Sequence, residues 1–346
     1  MIEAGTGNLL EANVEALVNT VNTVGVMGKG IALQFKKAFP ENFEPYAKAC
    51  AADQMQPGKM LTVDLNRLSN PRFIINFPTK RDWKHKSRLK DIEAGLPALI
   101  EELRRLKITS IAVPPLGCGN GGLDWRDVRP LIEAAFAEVP EVRVLLYAPS
   151  GSPKAAAMPI NTKRPNMSPG RAAVVAVMSR YAIVGYSLTL LEVQKLLYFL
   201  QEAGEDLKMP FAKAPYGPYA DTLRHVLDKM DGHFIRGWGD GANRPETPLE
   251  LVPEAVSEAE AFLGAKSETH DRLERVTDLI EGFETPYGME LLSSVHWVAM
   301  REDPAARLHV TAAAAAVARW SDRKKQLFQT SHIESAWQRL RDRDWI

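Results

Sequence analysis

In the first half of the chain, short apolar runs alternate with segments of helical periodicity, and this alternation constrains the fold more than any other feature. The runs with the length and composition of buried strands are residues 16–21 (ALVNTV), 73–77 (FIINF), 111–114 (IAVP) and 142–147 (VRVLLY). The segments with apolar spacing near 3.6 are residues 31–39, 87–106 and 125–138. Strands that alternate with helices predict an α/β fold around a largely parallel sheet.

The length and a proline-rich segment predict two domains. The chain has 346 residues, about twice the usual domain size of roughly 100–150 residues. Residues 151–172 have no apolar periodicity and contain Pro153, Pro159, Pro165 and Pro169, which is typical of a linker. We therefore predict a first domain at residues 1–150, a linker at 151–172 and a mostly helical second domain at 173–346.

Helical patterns dominate the second domain. Residues 189–200 open with a capping box formed by Thr189 and Glu192, and Gly204 follows as a stop signal. Further predicted helices are residues 218–230, 273–283, 289–300 and 311–320. Residues 233–252 have little helical period and are expected to hold a small hairpin.

Composition excludes several classes of protein. Basic and acidic residues number 43 each, and the 45% apolar share is ordinary for a globular protein. Cys50 and Cys118 cannot form a disulfide framework, and no His, Cys or Asp spacing indicates a metal site. No run approaches the roughly 20 apolar residues of a membrane span, and no signal-peptide core is present. We expect a soluble cytoplasmic protein without a membrane partner and without a metal or redox cofactor.

Three glycine clusters in the first domain indicate what kind of ligand it binds. They are the first loop, residues 5–9 (GTGNL), the second loop, residues 25–31 (GVMGKGI), and the third loop, residues 114–124 (PPLGCGNGGLD). A glycine loop that opens a helix presents free backbone N–H groups to a phosphate. The glycine order matches neither the dinucleotide fingerprint nor the P-loop. One such loop alone is often only a tight turn, but two that follow buried strands predict a diphosphate site.

These motifs, together with N-T-V-N at residues 19–22, resemble the macrodomain, an α/β/α module that binds ADP-ribose. The resemblance covers about residues 1–149, and implies a mixed, largely parallel sheet. Within macrodomains, F-P-T-K at residues 77–80 and Leu123-Asp124 resemble the branch of deacylating and DNA-directed ADP-ribosyl hydrolases. The length and the second domain resemble the DarG-type antitoxins, whose partner is a DarT-type toxin that modifies thymidine in single-stranded DNA.

The resemblance implies a set of ligand contacts. The first loop and Tyr147 would border the adenine, Asn22 the distal ribose, and the second and third loops the diphosphate. Asn8 stands where many macrodomains have Asp, and residues 120–122 lengthen the third loop. The residues assigned to ADP-ribose are Gly7, Asn8, Leu9, Thr20, Asn22, Gly25, Val26, Met27, Gly28, Lys29, Gly30, Ile31, Pro115, Leu116, Gly117, Cys118, Gly119, Asn120, Gly121, Gly122, Leu123 and Tyr147.

Lys80 is the candidate catalytic residue. Release of ADP-ribose at C1″ passes through an oxocarbenium-like transition state, and glycosidases usually stabilise it with two carboxylates. The first domain shows no such pair in a loop. Lys80 ends a predicted strand beside other cations, which should lower its pKa and favour the neutral amine. In the resembling hydrolases this lysine is catalytic and an Asp matching Asp124 assists, whereas without the resemblance Lys80 would be a phosphate-contacting surface lysine.

The segment around Lys80 also predicts a nucleic-acid contact. Residues 79–90 (TKRDWKHKSRLK) contain six basic residues and one acidic residue. Basic side chains can pair with backbone phosphates, and aromatic rings can stack on bases. The residues expected to contact single-stranded DNA are Trp83, Lys84, His85, Lys86 and Arg88. The alternative interpretation of such a run is a solvated face.

The second domain resembles the Panacea, or SocA-like, antitoxin domain. The matching motifs are L-L-E-V-Q-K-L-L-Y-F-L-Q at residues 190–201 and Y-G-P at residues 216–218. Residues 240–284 contain twelve acidic and four basic residues, a net charge of −8. Such a surface could compete for the basic DNA groove of a toxin. Two alternatives to a DNA hydrolase remain: a module that binds ADP-ribose without cleavage, and a hydrolase of glutamate-linked ADP-ribose on protein.

Overall fold

The computed structural model describes residues 1–181, 187–264 and 267–346, and these residues fall into two units. Unit 1 comprises Met1–Lys163 and Gly239–Ala242, and unit 2 comprises Arg164–Trp238 and Asn243–Ile346. Residues 182–186, within the segment that resembles the antitoxin domain, lie outside the described residues, as do residues 265–266 of the acidic segment.

A six-stranded sheet forms the centre of unit 1. Its strands are β1 (Ile2–Ala4), β2 (Ala16–Asn22), β3 (Leu61–Asp64), β4 (Phe73–Lys80), β5 (Ser110–Val113) and β6 (Arg143–Leu146). They lie in the order β1-β6-β5-β2-β4-β3, and only β3 runs antiparallel to its neighbour. This mixed, largely parallel sheet confirms the predicted fold class. The short strands β1 and β3 were not predicted, because three or four partly exposed residues carry too little periodicity.

Helices cover both faces of this sheet. They are α1 (Gly30–Ala38), α2 (Phe43–Ala51), α3 (Leu89–Leu106) and α4 (Trp125–Phe136). Alternate residues of β2 point to opposite faces. Ala16 and Val18 join the apolar core under α3 and α4, whereas Leu17 joins a second core with Phe35 of α1. The result is three layers, α/β/α.

The close packing of α3 on the sheet depends on a glycine. A Cβ atom added to Gly95 would lie 2.2 Å from the ring of Phe77 on β4. Phe77 is fully buried, so its ring has no room to move away. Gly95 therefore sets the distance between α3 and the strand that ends at Lys80.

Unit 2 is mostly helical. Its helices are α5 (Pro169–Tyr181), α6 (Leu190–Glu202), α7 (Thr222–Met230), α8 (Pro253–Leu263), α9 (Ser267–Ile280), α10 (Pro286–Trp297), α11 (Pro304–Leu308), α12 (Val310–Trp320), α13 (Asp322–Leu327) and α14 (Thr330–Asp342). Its strands are β7 (Leu188–Thr189), β8 (Ala212–Ala214), β9 (Gly217–Tyr219), β10 (Ile235–Arg236) and β11 (Pro248–Leu251). Among the described helices, none combines the length and the apolar surface that a membrane crossing requires.

The local predictions for unit 2 hold in part. The capping box of Thr189 and Glu192 is present at the start of α6, and β10 and β11 form the predicted hairpin. Two predictions were wrong. Helix α5 begins at Pro169, inside the predicted linker, because proline is favourable in a first helical turn. The helix predicted from residue 218 begins at Thr222, since Pro218 belongs to the β8–β9 hairpin.

Substitution of Gly95 by Ala tests the packing of α3. Alanine usually stabilises a helix interior by about 0.5–1 kcal/mol relative to glycine, but here overpacking against Phe77 should cost about 1–3 kcal/mol. Scanning calorimetry of the full chain should show a lower Tm for Gly95→Ala and partial recovery when Phe77→Leu is added. Gly170→Ala, in open space on α5, is the control. Equal Tm values for the Gly95 and Gly170 variants would contradict the packing argument.

Candidate functional site

Two candidate site residues meet where the central strands end. In the parallel pair β2–β4, Asn22 lies opposite Lys80, after a register shift between Val21 and Asn22. The second loop follows Asn22, and the basic loop of residues 81–88 follows Lys80. Ligands of such sheets bind beyond the carboxyl ends of the strands. The strand pairing thus brings the expected sugar contact and the expected catalytic amine to one edge.

Asn22 organises the second loop through its side chain. Its Oδ1 accepts hydrogen bonds from the backbone N–H groups of Val24 (3.0 Å) and Val26 (3.2 Å), and its Nδ2 donates to the carbonyl of Val26 (2.5 Å). The Tyr46 hydroxyl donates to the carbonyl oxygen and Oδ1 of Asn22 at 2.9 and 3.0 Å. The Asn22 amide is therefore engaged by its own loop. Tyr46 was missed because an aromatic residue of α2 gives no sequence signal for this contact.

The third loop is a tight glycine turn supported by Ser87. The backbone N–H of Ser87 donates to the carbonyl of Gly121 at 2.9 Å, and Leu123 donates to the carbonyl of Gly117 at 3.1 Å. A Cβ on Gly121 would lie 2.2 Å from the carbonyl oxygen of Gly117 and 2.3 Å from Ser87 Oγ. Residue 121 must be glycine for the turn to close. Ser87 lies within the basic run but is not among the residues predicted to contact DNA, and a serine there gives no sequence signal for this buried support.

Asn120 connects the second and third loops with Lys80. A Cβ atom added to Gly30 would lie 2.5 Å from Asn120 Nδ2, so the absence of a side chain at Gly30 admits the amide. The Lys80 Nζ donates to the backbone carbonyl of Asn120 at 2.5 Å. Asn120, one of the residues that lengthen the third loop, thus holds the candidate amine.

The environment of Lys80 favours its neutral form. Lys80 is half-buried, and burial lowers the pKa of its ammonium below the ordinary 10.5. The sequence predicted a pKa shift in the same direction but with neighbouring cations as its cause. The adjacent Arg81 pairs with Asp91 at 3.0 Å, which reduces its field at Lys80. Desolvation is therefore the cause of the shift.

Asp124 is the N-cap of α4. Its Oδ1 accepts a hydrogen bond from the backbone N–H of Arg126 at 2.9 Å, and its Oδ2 pairs with the Arg126 guanidinium at 2.6 Å. The hydrogen bonds from Arg126 lower the pKa of Asp124 to about 2. The carboxylate stays ionised at neutral pH, so it can stabilise positive charge but is a poor proton carrier. This environment favours an electrostatic role for Asp124 over a role in proton transfer.

The first loop lies against Tyr147. A Cβ on Gly5 would lie 2.4 Å from the ring of Tyr147, and the Tyr147 hydroxyl donates to the carbonyl of Thr6 at 3.4 Å. Asn8 Oδ1 accepts from the backbone N–H of Leu10 at 3.1 Å and caps a short helical turn. The residues expected to border the adenine are thus neighbours in unit 1.

The basic loop presents its aromatic and cationic groups to solvent. Trp83 is 54% exposed, and Lys84 Nζ lies 5.0 Å from the centroid of its ring. His85, Lys86 and Arg88 are also exposed. An exposed indole beside cations can stack with an unpaired base while the cations pair with phosphates.

Cys118 has the environment of a packing residue. Its Sγ lies 3.5 Å from the carbonyl oxygen of Leu116, and burial raises the pKa of its thiol to about 11. Because the thiolate is the nucleophile, this cysteine is poorly suited to attack a sugar carbon.

In unit 2 the two antitoxin-like motifs are joined by buried hydrogen bonds. Gln194 of α6 exchanges two hydrogen bonds of 3.1 Å with the backbone of Ala220. Lys195 Nζ donates to the carbonyl of Pro218 at 2.6 Å, and burial lowers the pKa of Lys195 to about 7. The apolar residues of the first motif lie in the apolar core of unit 2. The motifs therefore specify how α6 holds the β8–β9 hairpin.

The acidic segment is partly neutralised. Its ion pairs with arginines outside the segment are Glu258–Arg164 (2.5 Å), Glu260–Arg180 (3.7 Å), Asp278–Arg343 (3.1 Å) and Glu281–Arg339 (3.9 Å). Glu254, Asp271 and Glu274 are exposed, and no ion pair joins them to another described residue. The net charge of −8 thus overstates the field, and these three side chains contribute accessible negative charge, as do the exposed Glu246 and Glu250.

Comparison with known proteins identifies a matching domain family and several similar relatives. A family model described as Macro domain matches residues 18–132. The chain is 48% identical over 303 residues to a Thermus aquaticus protein named DNA ADP-ribosyl glycohydrolase, covering 87% of this chain and 83% of the relative. It is 44% identical over 357 residues to a protein of the same name from Mycobacterium tuberculosis, covering 98% and 99%.

A third relative is a fusion protein. The chain is 37% identical over 158 residues, 41% of this chain and 40% of the relative, to a Thermosipho africanus protein. That protein is named a DNA ADP-ribosyl transferase-DNA ADP-ribosyl glycohydrolase fusion protein. In this relative, a glycohydrolase is joined covalently to a transferase.

Proposed function

The chain belongs to the DNA ADP-ribosyl glycohydrolase family, and we propose that it hydrolyses ADP-ribose from thymidine bases in single-stranded DNA. The hydrolase site would lie in residues 1–150, at the carboxyl ends of β2 and β4. The observation that carries the proposal is the position of Lys80: its amine lies at the third loop, opposite Asn22, with a pKa lowered by burial.

The proposed reaction follows from the groups at this edge. The second and third loops would bind the diphosphate through their backbone N–H groups. Because the glycines have no side chain, the phosphates could come close to the backbone. Lys80 attacks, or orients attack at, C1″, and the ionised Asp124 stabilises the developing positive charge. The bond between C1″ and the base nitrogen breaks, and its electron pair stays with the base, which takes a proton. Water then adds its hydroxyl to C1″, which releases the Lys80 amine where that amine has bonded to C1″, and the proton lost by water balances the proton taken by the base. Free ADP-ribose and unmodified thymidine are the products.

Removal of the Lys80 amine should abolish most of the activity. For Lys80→Ala we expect kcat/KM on an ADP-ribosylated single-stranded oligonucleotide to fall by about 10²–10⁴-fold. Exposed Lys59→Ala is the control and should match the wild type. Because the neutral amine is the active form, the wild-type rate should rise with pH and level off above the Lys80 pKa, which lies below 10.5.

The same assay separates the alternatives. A wild-type protein that binds ADP-ribose but releases none would be a binding module. Faster release from ADP-ribosylated glutamate on protein than from thymidine would contradict the DNA substrate. A Lys80→Ala protein with the wild-type rate would exclude the proposed role of the amine.

The basic loop supports DNA as the substrate. Its exposed indole and cations begin next to Lys80, on the strand that would deliver the amine. A hydrolase can reach a thymine only when the base is unpaired or extruded. Trp83, Lys84, His85, Lys86 and Arg88 would then hold the strand on either side of the modified nucleotide.

Charge reversal in the basic loop should weaken the interaction with DNA and not the chemistry. For Lys84→Glu combined with Lys86→Glu we expect a higher KM for the oligonucleotide. The dependence of log KM on log salt concentration should become shallower by about 0.7 for each lost phosphate contact. Free ADP-ribose should bind as to the wild type, and Lys59→Glu should leave KM unchanged. The proposal is wrong if the KM of the double variant and its salt dependence match those of the wild type.

We further propose that residues 173–346 bind a DarT-type DNA ADP-ribosyl transferase, so that the chain is an antitoxin with two modes of action. The fusion relative supports this pairing, since it joins the two activities in one chain. A transferase that modifies DNA needs a basic groove, and the exposed Glu254, Asp271 and Glu274 offer the complementary charge.

Reversal of these charges should slow association with the toxin. At low salt, Glu254→Lys combined with Glu274→Lys should lower kon for an immobilised DarT-type transferase by about tenfold or more. The matched control is Glu334→Lys with Asp342→Lys, two exposed acids on α14. No binding of the wild-type chain would contradict the toxin-binding proposal, and an equal loss in both double variants would exclude the acidic segment as the contact.

A further inference from the structure

Unit 1 contains a short segment that is distant in sequence from the rest of it. Residues Gly239–Ala242 belong to unit 1 and lie along one face of α1. The backbone N–H of Gly30, the first residue of α1, donates to the carbonyl of Asp240 at 2.8 Å. Seven residues further along this helix, Lys37 Nζ donates to the carbonyl of Gly239 at 2.8 Å. The segment is thus attached at the start and at the end of α1.

Two glycines allow the segment to approach this closely. Gly241 has φ +70°, and an added Cβ would lie 3.2 Å from the carbonyl oxygen of Gly28 and 3.2 Å from Leu33 Cδ2. Gly239 has φ +61°, and an added Cβ would lie 3.0 Å from Ala155 Cβ. Both positions combine a backbone conformation that favours glycine with a close neighbour.

The Asp240 side chain fixes the shape of the turn. Its Oδ1 accepts a hydrogen bond from the backbone N–H of Ala242 at 3.0 Å, and its Oδ2 accepts one from Ser152 Oγ at 2.5 Å. Asp240 is 9% exposed. A buried carboxylate with two donors holds the backbone carbonyl of the same residue against Gly30.

Gly30 therefore lies between two supports. On one side is the carbonyl of Asp240, and on the other is the amide of Asn120, whose backbone carbonyl accepts from Lys80 Nζ. Gly30 is the last glycine of the second loop. A displacement of the 239–242 segment would release the second loop from one support and leave Lys80 on β4 in its strand ladder.

We propose that Gly239–Ala242 is a positioning segment for the ADP-ribose site, which holds residues 28–31 in the geometry that receives the diphosphate. This inference rests on the proposed function, and names Asp240 and Gly241 as residues that act through Gly30 without touching the ligand. Because the backbone of Lys80 is held by the β2–β4 ladder, the segment controls ligand affinity and not the chemical step.

The test compares full-length variants. Gly241→Val places a side chain against Gly28 and Leu33, and should raise both the Kd for ADP-ribose, measured by calorimetry, and the KM for the oligonucleotide by about five- to tenfold. The kcat should stay within about twofold of the wild type, because Lys80 keeps its place. The control is Gly282→Val, which has a similar φ of +84° and open space around it, and should leave Kd unchanged.

A second pair of variants tests the positioning role of the segment if Gly241→Val does not fold. Asp240→Ala removes both hydrogen bonds of the carboxylate and should weaken ADP-ribose binding by a similar factor. Asp240→Asn can accept from Ala242 and donate to Ser152, so it should restore the wild-type Kd. An Asp240→Ala Kd within twofold of the wild type, or a fall in kcat without a change in KM, would overturn the inference.

The outcomes also separate this inference from the function on which it rests. If the wild-type chain neither binds ADP-ribose nor releases it from DNA, both proposals fail. If the wild type is active and the Gly241 and Asp240 variants bind ADP-ribose equally well, only the positioning role is excluded. An equal loss in Gly241→Val and Gly282→Val would show that backbone strain alone is the cause, and would also exclude it.

Discussion

The parallel pairing of β2 with β4 is the constraint on which the site depends. Its last register pair places Asn22 opposite Lys80. Each strand then continues into a loop, and the two loops have different proposed roles. The second loop carries the glycines that can approach a diphosphate, and the basic loop carries the groups that can hold DNA. Because both strands are buried and hydrogen-bonded along their length, neither residue can shift without disturbing the centre of the sheet.

Around this pair, the loops are held by hydrogen bonds between protein groups. Asn22 and Tyr46 close the second loop from inside, while Ser87 supports the third loop from behind. A site built in this way needs little rearrangement to receive a ligand, which reduces the entropic cost of binding. The amine of Lys80 is the exception, since its partner, a single backbone carbonyl, can be exchanged for substrate.

The sequence predicted the parts of the molecule that depend on local pattern. Strong apolar runs located β2, β4, β5 and β6, and Thr189 with Glu192 located the start of α6. The support that Ser87 gives to the third loop could not be predicted, because such a backbone support depends on where neighbouring loops pass. The contact of Asp240 with Gly30 joins residues 210 positions apart, and no periodicity encodes such a contact. The strands could thus be predicted from local sequence pattern, whereas the support of the loops depends on contacts between residues that are distant in the sequence.

Hydrogen–deuterium exchange with and without free ADP-ribose tests the central claim most directly, because it measures the backbone N–H groups that are proposed to bind the diphosphate. At saturating ADP-ribose, we expect slower exchange in residues 25–31 and 116–122 of the full chain and unchanged exchange in α6 of unit 2. Unchanged exchange in both loops, or protection confined to unit 2, would contradict the claim.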